Sequence, residues 1–273
     1  MAIHYFLHPS EANKPALKNI MGKANLHVFF LLFLILSSFC ESNDQLTVTQ
    51  ENSLSPGNMV ISDGGVFALG FFSPTKSSKS LYLGIWYNNI PERTIVWIVN
   101  RDSPISNHSS VKLTITNSSE MVLFDSEGRS VWMTANTTTA GGDDGAVAVL
   151  LDSGNFVLRL LNGTVVWQSI DHPTDTILPN TTFLLSYKAQ VVESLVAWKG
   201  PDDPSTGDFS SSIDPSSYLQ IFIWNGSLPY KRLDVVNEVS VHGGTYPINS
   251  TSIISEHLYY RGDELYFRYT YSL

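Results

Sequence analysis

The chain of 273 residues has a single cysteine, Cys40, so no disulfide can form within it. Once Cys40 is removed with the leader described below, neither a thiolate metal site nor a thiol nucleophile remains. Charged residues make up only 15% of the sequence, and the formal net charge is −9. Without a basic stripe there is nothing to attract a phosphate backbone, which excludes nucleic acid as a partner. The seven histidines are dispersed with no metal-ligand spacing. No glycine-rich phosphate loop occurs, and no titratable pair beside a nucleophile marks a catalytic centre. His172, between Asp171 and Asp175, sits in a proline turn and reads as structural. The expectation is a protein that is not an enzyme and carries no cofactor or metal. Helical periodicity is also missing from residues 43–170, where no stretch sustains it over eleven residues or more.

Long apolar runs are scarce. Residues 28–39, VFFLLFLILSSF, form the longest. At about a dozen residues the run is short for a membrane span and suited to the core of a secretory signal. Lys14, Lys18 and Lys23 precede it, and small residues around Cys40 offer cleavage sites. Residues 1–42 therefore read as a signal peptide with a leader, starting at Met1 or Met21, and the mature chain is expected to be secreted with no membrane span. Seven Asn-x-Ser/Thr sites support this: Asn107, Asn117, Asn136, Asn162, Asn180, Asn225 and Asn249.

Aromatic residues are abundant, at 12%. Trp97, Trp132 and Trp167 recur 35 residues apart, each preceded by valine: Val96, Val131 and Val166. Around two of them, Val122-Leu123, Gly128 and Val131-Trp132 recur as Val157-Leu158, Gly163 and Val166-Trp167. Such a period marks one small unit used three times, too small to bury its own apolar face. Turn residues separate short apolar runs at 67–72, 82–87, 94–99, 121–124, 130–133, 156–160 and 164–167. These are hairpin signals, and the class is all-β. The tryptophans then either meet near a pseudo-threefold axis or scatter through the core of a β-sandwich.

Several ordered motifs over about residues 45–180 resemble the bulb-type, monocot mannose-binding lectin domain of plant receptor-like proteins. They are Ser62-Asp-Gly-Gly-Val-Phe-Ala-Leu-Gly-Phe-Phe-Ser-Pro74, Leu83-Gly-Ile-Trp-Tyr87, Ile95-Val-Trp-Ile-Val-Asn-Arg-Asp-Ser-Pro104, Leu150-Leu-Asp-Ser-Gly-Asn-Phe-Val-Leu158 and Trp167-Gln-Ser-Ile-Asp-His-Pro-Thr-Asp-Thr-Ile-Leu-Pro179. The resemblance implies a β-prism of three four-stranded sheets over residues 43–180. It also implies a sugar site on alternate positions of one strand, Gln-x-Asp-x-Asn-x-Val-x-Tyr, once per unit. Only fragments survive. Asn155 and Val157 match, with Leu151, Ser153 and Arg159 at the other positions. Val122 stands with Thr116, Ser118, Glu120 and Phe124. Asp63 matches in a third copy read along Ile61, Gly65, Phe67 and Leu69. The expectation is a lectin fold with a degenerate mannose site, in which Asp152-Ser-Gly-Asn155 is a turn leading into a strand.

Residues 181–273 form a second β-rich module. Ala197-Trp-Lys-Gly-Pro-Asp-Asp-Pro-Ser-Thr-Gly-Asp-Phe-Ser210 and Ile223-Trp-Asn-Gly-Ser-Leu-Pro-Tyr-Lys-Arg232 resemble part of the S-locus glycoprotein domain, as in the ectodomain of S-domain receptor-like kinases. Proline, glycine and aspartate in 198–209 predict a rigid loop, and Asn225-Gly226 predicts a hairpin. Arg261-Gly-Asp263 reads as a turn. The kinase domain of those receptors is absent from this sequence. The resemblance implies cell-surface recognition, of self pollen or in defence, with a glycan, protein or peptide as ligand and a related receptor ectodomain as partner. A lectin of altered specificity is the alternative.

Overall fold

The structure is a computed structural model, and it describes residues 47–134, 145–186, 191–214, 216, 220–235, 254–261 and 264–271. These belong to one compact unit, Gln45–Leu273. The leader and the sequons Asn136 and Asn249 lie outside the described residues.

Every sheet is antiparallel. The first contains β1 (Met59–Ile61), β2 (Phe67–Phe72), β3 (Tyr82–Tyr87) and β4 (Ile95–Ile98), in that order. The second contains β5 (Lys112–Ile115), β6 (Met121–Phe124) and β7 (Ser130–Met133), and the third β8 (Ala146–Leu150), β9 (Phe156–Leu160) and β10 (Val165–Gln168). The expected three sheets of four strands are thus sheets of four, three and three strands. The reason lies in residues 47–54, a single segment shared by two sheets. Val48 exchanges backbone bonds with Ala148 and Leu54 with Leu113, while a turn closed by Thr49 and Asn52 lies between them. A segment that turns between two sheets gives each of them one bridge rather than a ladder.

Register makes the repeat physical. Three rungs run across the three sheets: Val60–Leu69–Ile85–Trp97, Leu54–Leu113–Leu123–Trp132 and Val48–Ala148–Leu158–Trp167. All nine non-tryptophan members are at most 1% exposed. The valine before each tryptophan also has a shared cause. Ile85 faces Trp97 but Trp86 faces Ile95, so Val96 is the extra residue of a β-bulge. Val131 and Val166 are skipped in the same way. The tryptophans converge, with Trp167 at 5.9 Å from Trp97 and 5.5 Å from Trp132 between ring centroids. His172 stacks on Trp167, and its carbonyl accepts the Trp97 indole N–H at 2.8 Å. The histidine between two aspartates is therefore a lid on the tryptophan cluster.

Beyond the third sheet, β11 (Thr182–Ser186) and β12 (Val191–Val192) begin a second layer. A hairpin sheet follows: β13 (Leu195–Gly200), β14 (Asp203–Ile213), β15 (Gln220–Asn225) and β16 (Leu228–Val235). Then β17 (Ile254–Arg261) and β18 (Glu264–Tyr271) return to β11, in the order β12-β11-β18-β17. Phe183, Ile213, Ile221 and Phe267 form the core between these two sheets.

The predicted loop at 198–209 is instead the β13–β14 hairpin. Its strand-hostile residues sit at irregular register, with Trp198 facing Thr206 and Gly200 facing Asp203. A Cβ on Gly207 would lie 2.6 Å from the Trp198 carbonyl oxygen, so the irregularity requires glycine there. Pro204 is buried, and its carbonyl is taken up by the first module.

Candidate functional site

The sugar-facing positions implied around Val157 and Val122 alternate with the rung residues Leu158 and Leu123, whereas the copy read through Asp63 ends on Leu69, itself a rung residue. Asn155 is 5% exposed at the start of β9. Its Nδ2 donates to Gln168 Oε1 at 3.1 Å, and its Oδ1 accepts from Ser169 Oγ at 3.3 Å and from the Ile170 N–H at 3.4 Å. Ser169 Oγ in turn accepts the Phe156 N–H at 2.9 Å. Asn155 thereby ties the entry of β9 to the 3-10 turn Ser169–Asp171. A buried amide engaged in this way is satisfied, and a ligand would have to displace those bonds. Gln168 Nε2 continues the chain to Asp171 Oδ2 at 2.9 Å. Val157 is buried on the same row, facing Val149 and Gln168, while Arg159 is exposed. Gln168 and Asp171 extend this polar row and were not singled out as site residues. They lie on and beyond a neighbouring strand, which a single-strand motif cannot reveal.

The rungs also fix which strands are equivalent. Val157 opposes the residue after Trp167, Val122 the residue after Trp132, and Gly84 the residue after Trp97. The first-unit counterpart of β9 is therefore β3, not β2. Asp63, read as the counterpart of Ser153, precedes β2 and so does not lead into the equivalent strand. It is exposed in a turn closed by Ser62, and its neighbour Gly64 donates its N–H to Asp152 Oδ1 at 2.7 Å. The structure thus places the Asp63 turn against the Asp152–Asn155 turn.

The outer face of the first sheet is largely apolar. At Gly84 a Cβ would lie 2.8 Å from the Phe72 ring. Phe72, Tyr82 and Ile98 form a buried cluster there, roofed by Ile95 and Trp198. On the second sheet, Val122 lies between Thr114 and Met133, with Phe124 further along. Thr116 Oγ1 accepts the Glu120 N–H at 3.3 Å, so one of its polar side chains closes a turn.

Trp198 belongs to the second module, and its approach to the first sheet is held by an arginine. Arg101 donates through Nε to Pro204 O at 2.9 Å, through Nη1 to Val196 O at 2.9 Å and through Nη2 to Ala197 O at 3.0 Å. Asp102 accepts the Thr206 N–H at 2.7 Å and the Thr206 hydroxyl at 2.8 Å. Beside them, burial pushes the Asp175 carboxyl above the usual carboxylate range, against the pull of the Thr174 hydroxyl and Arg101. A groove of about 550 Å³ opens along this joint, lined by Trp86, Tyr87, Asn88, Arg93, Trp198 and Pro201. The Arg93 guanidinium lies 4.7 Å above the Trp86 ring. Aromatic faces framed by an amide and a guanidinium suit a ligand with both apolar and hydroxyl or amide groups.

Among the described residues no three His, Cys, Asp or Glu side chains form a metal-binding group. No described helix is long and apolar enough to cross a membrane. The sequons Asn107, Asn117, Asn162, Asn180 and Asn225 are all exposed.

Residues 94–199 match the family model described as D-mannose binding lectin. The receptor-like serine/threonine-protein kinase SD1-8 of Arabidopsis thaliana is 40% identical over 203 residues, covering 72% of this chain and 23% of that protein. The S-locus-specific glycoprotein S6 of Brassica oleracea is 38% identical over 222 residues, covering 79% of this chain and 50% of that protein. The chain thus spans about a quarter to a half of the length of these relatives. Among solved structures, a monomeric monocot mannose-binding lectin from Gastrodia elata is 18% identical with a TM-score of 0.34, covering 45% of this chain and 94% of its own. The chain carries a bulb-type lectin domain and is a relative of the S-locus glycoproteins and the G-type lectin S-receptor-like kinases.

Proposed function

We propose that this chain is a secreted recognition glycoprotein without catalytic activity, in which the lectin scaffold presents surfaces other than the mannose positions. The observation that carries the reading is the use of those positions for structure. Asn155 is spent on closing the third sheet, Gly84 is covered by Phe72, and Val122, between Thr114 and Met133, has no polar side-chain group to offer. Each lost hydrogen bond in a buried site costs on the order of 1–3 kcal/mol, more than a weak sugar site can spare. Residues 1–42 act as a signal peptide with leader, 43–180 as the lectin-like module and 181–273 as part of an S-locus glycoprotein module. The three equivalent rungs and the tryptophan cluster support a prism arrangement of the first three sheets. Recognition then falls to the groove at the joint, with a glycan, protein or peptide as ligand and a related receptor ectodomain as partner. Kinship with S-locus glycoproteins suggests self-recognition in pollination or defence as the setting.

One observation favours a second reading, a carbohydrate binder of altered specificity. The Asn155–Gln168–Asp171 row keeps a polar outer face on the third sheet, with Asp171 exposed. A broad glycan array probed with the secreted chain separates the two. Absence of mannose binding is expected. Mannose-specific binding that disappears in Asn155→Ala would refute the proposal, and a different glycan lost in Asp171→Asn would establish the second reading.

A further inference from the structure

The sequon Asn107-His108-Ser109 stands at the edge of a groove of about 440 Å³ between the loop after β4 and the turn joining β6 to β7. Both walls are fixed. Ile105, buried, exchanges backbone bonds with Leu81 at 2.9 and 3.1 Å, and the His108 ring bonds to the Lys79 carbonyl at 2.9 Å. Asn107 therefore leaves the surface from a loop held on either side of it. Its Oδ1 accepts the Ser109 N–H at 3.2 Å and the Ser109 hydroxyl at 2.9 Å. Its Nδ2 makes no hydrogen bond among the described residues.

The opposite wall is a turn wound around Asp125. Its Oδ1 accepts the Glu127 and Arg129 N–H groups, each at 2.9 Å, and its Oδ2 accepts Arg129 Nε at 2.8 Å. These bonds hold the Asp125 carboxyl below the usual carboxylate range. Arg129 Nη1 lies 3.0 Å from Glu127 Oε2, and both side chains remain more than half exposed. Ser126, Glu127 and Arg129 thus offer a hydroxyl, a carboxylate and a guanidinium along one wall. That set matches alternating hydroxyl and acetamido groups. Its surplus of negative charge disfavours a phosphate or an acidic ligand, and it offers no aromatic platform for an apolar one.

We infer that this groove holds the inner N-acetylglucosamine residues of the glycan carried by Asn107 itself. The inference rests on the proposed secretion, because only a chain passing through the secretory pathway is glycosylated. A covalent tether supplies an effective concentration in the millimolar range, so contacts too weak to capture a free sugar are enough to seat a linked one. Asn162 is the internal control. It lies in the β9–β10 turn beside Leu161, which is 75% exposed, and Gly163, around which space is open.

The test is site-resolved deglycosylation of the full chain secreted from a eukaryotic host. The native protein is treated with a peptide N-glycanase, and residual glycan at each sequon is followed by glycopeptide mass spectrometry. Release at Asn107 is expected to be about tenfold slower than at Asn162, the equivalent of one or two net hydrogen bonds. The difference should vanish in denaturant and shrink in Glu127→Ala and in Arg129→Ala. Equal native rates at the two sites overturn the inference, as does slow release that neither variant alters. An unmodified Asn107 beside a modified Asn162 also overturns it and leaves the proposed function standing. Bare asparagines at every sequon would overturn both.

Discussion

The two modules solve the problem of stability differently. The lectin-like module repeats one rung three times and closes it on a cluster of tryptophans, so its core is contributed by equivalent positions from successive units. The second module has no such repeat. Its β13–β14 hairpin carries two prolines and irregular register, and its backbone carbonyls are satisfied by Arg101 of the first module. The contrast teaches that the second module is held in shape partly from outside, by a side chain that reads in the sequence as lectin motif.

Trp167→Ala should break the comparison most severely. It removes the ring in contact with both other tryptophans and His172, at a cost of about 3–5 kcal/mol. Calorimetry should show both modules melting earlier, because the second depends on the first. Arg101→Ala comes next. It leaves the Pro204, Val196 and Ala197 carbonyls without their donor, at a cost of about 3 kcal/mol. Here the melt should split, with the second module unfolding first and Trp97 emission unchanged until the second transition. A single unshifted transition would mean that the joint is incidental.

Gly207→Ala forces a Cβ onto the Trp198 carbonyl and should cost about 1–3 kcal/mol, again confined to the second module. The smallest effect concerns Glu193, which lines the second core and accepts the Leu184 N–H at 2.8 Å. Burial raises its carboxyl above the ordinary value, an effect that the Leu184 bond opposes and Asp171 adds to. A raised acid loses stability as pH climbs from its unfolded value through its folded one, because the buried group must then ionise. Glu193→Gln should accordingly melt higher than wild type at neutral pH and match it near about pH 4. A variant less stable at neutral pH would show that the carboxylate is stabilising there.

Much of the first module was legible in the sequence because its physics is local. The 35-residue spacing, the valine-tryptophan pairs and the turn residues between apolar runs correspond to the rungs, bulges and hairpins observed. The valines were visible as a pattern, but their role as bulge residues needed the register. Longer-range features were not legible. Residues 47–54 divide themselves between two sheets, which no periodicity announces. Residues 198–209 read as a loop because proline and glycine usually end strands, whereas here Arg101 compensates from about a hundred residues away. Asp63 was placed at the Asp position of the motif, the register of Ser153, by reading that copy into β2, and only pairing with Trp97 identifies β3 as the counterpart of β9. Asn155 itself reads as the end of a turn, and that is the role its hydrogen bonds give it.

The central claim is that the mannose positions of this lectin scaffold have become structural. A calorimetric titration of the secreted chain with methyl α-mannoside tests it most directly, with Asn155→Ala alongside. The account predicts no saturable heat at millimolar sugar for the wild type, and a lowered melting temperature for Asn155→Ala from the loss of its bonds to Gln168, Ser169 and Ile170. Saturable mannoside binding by the wild type, lost in a variant that melts normally, would contradict it.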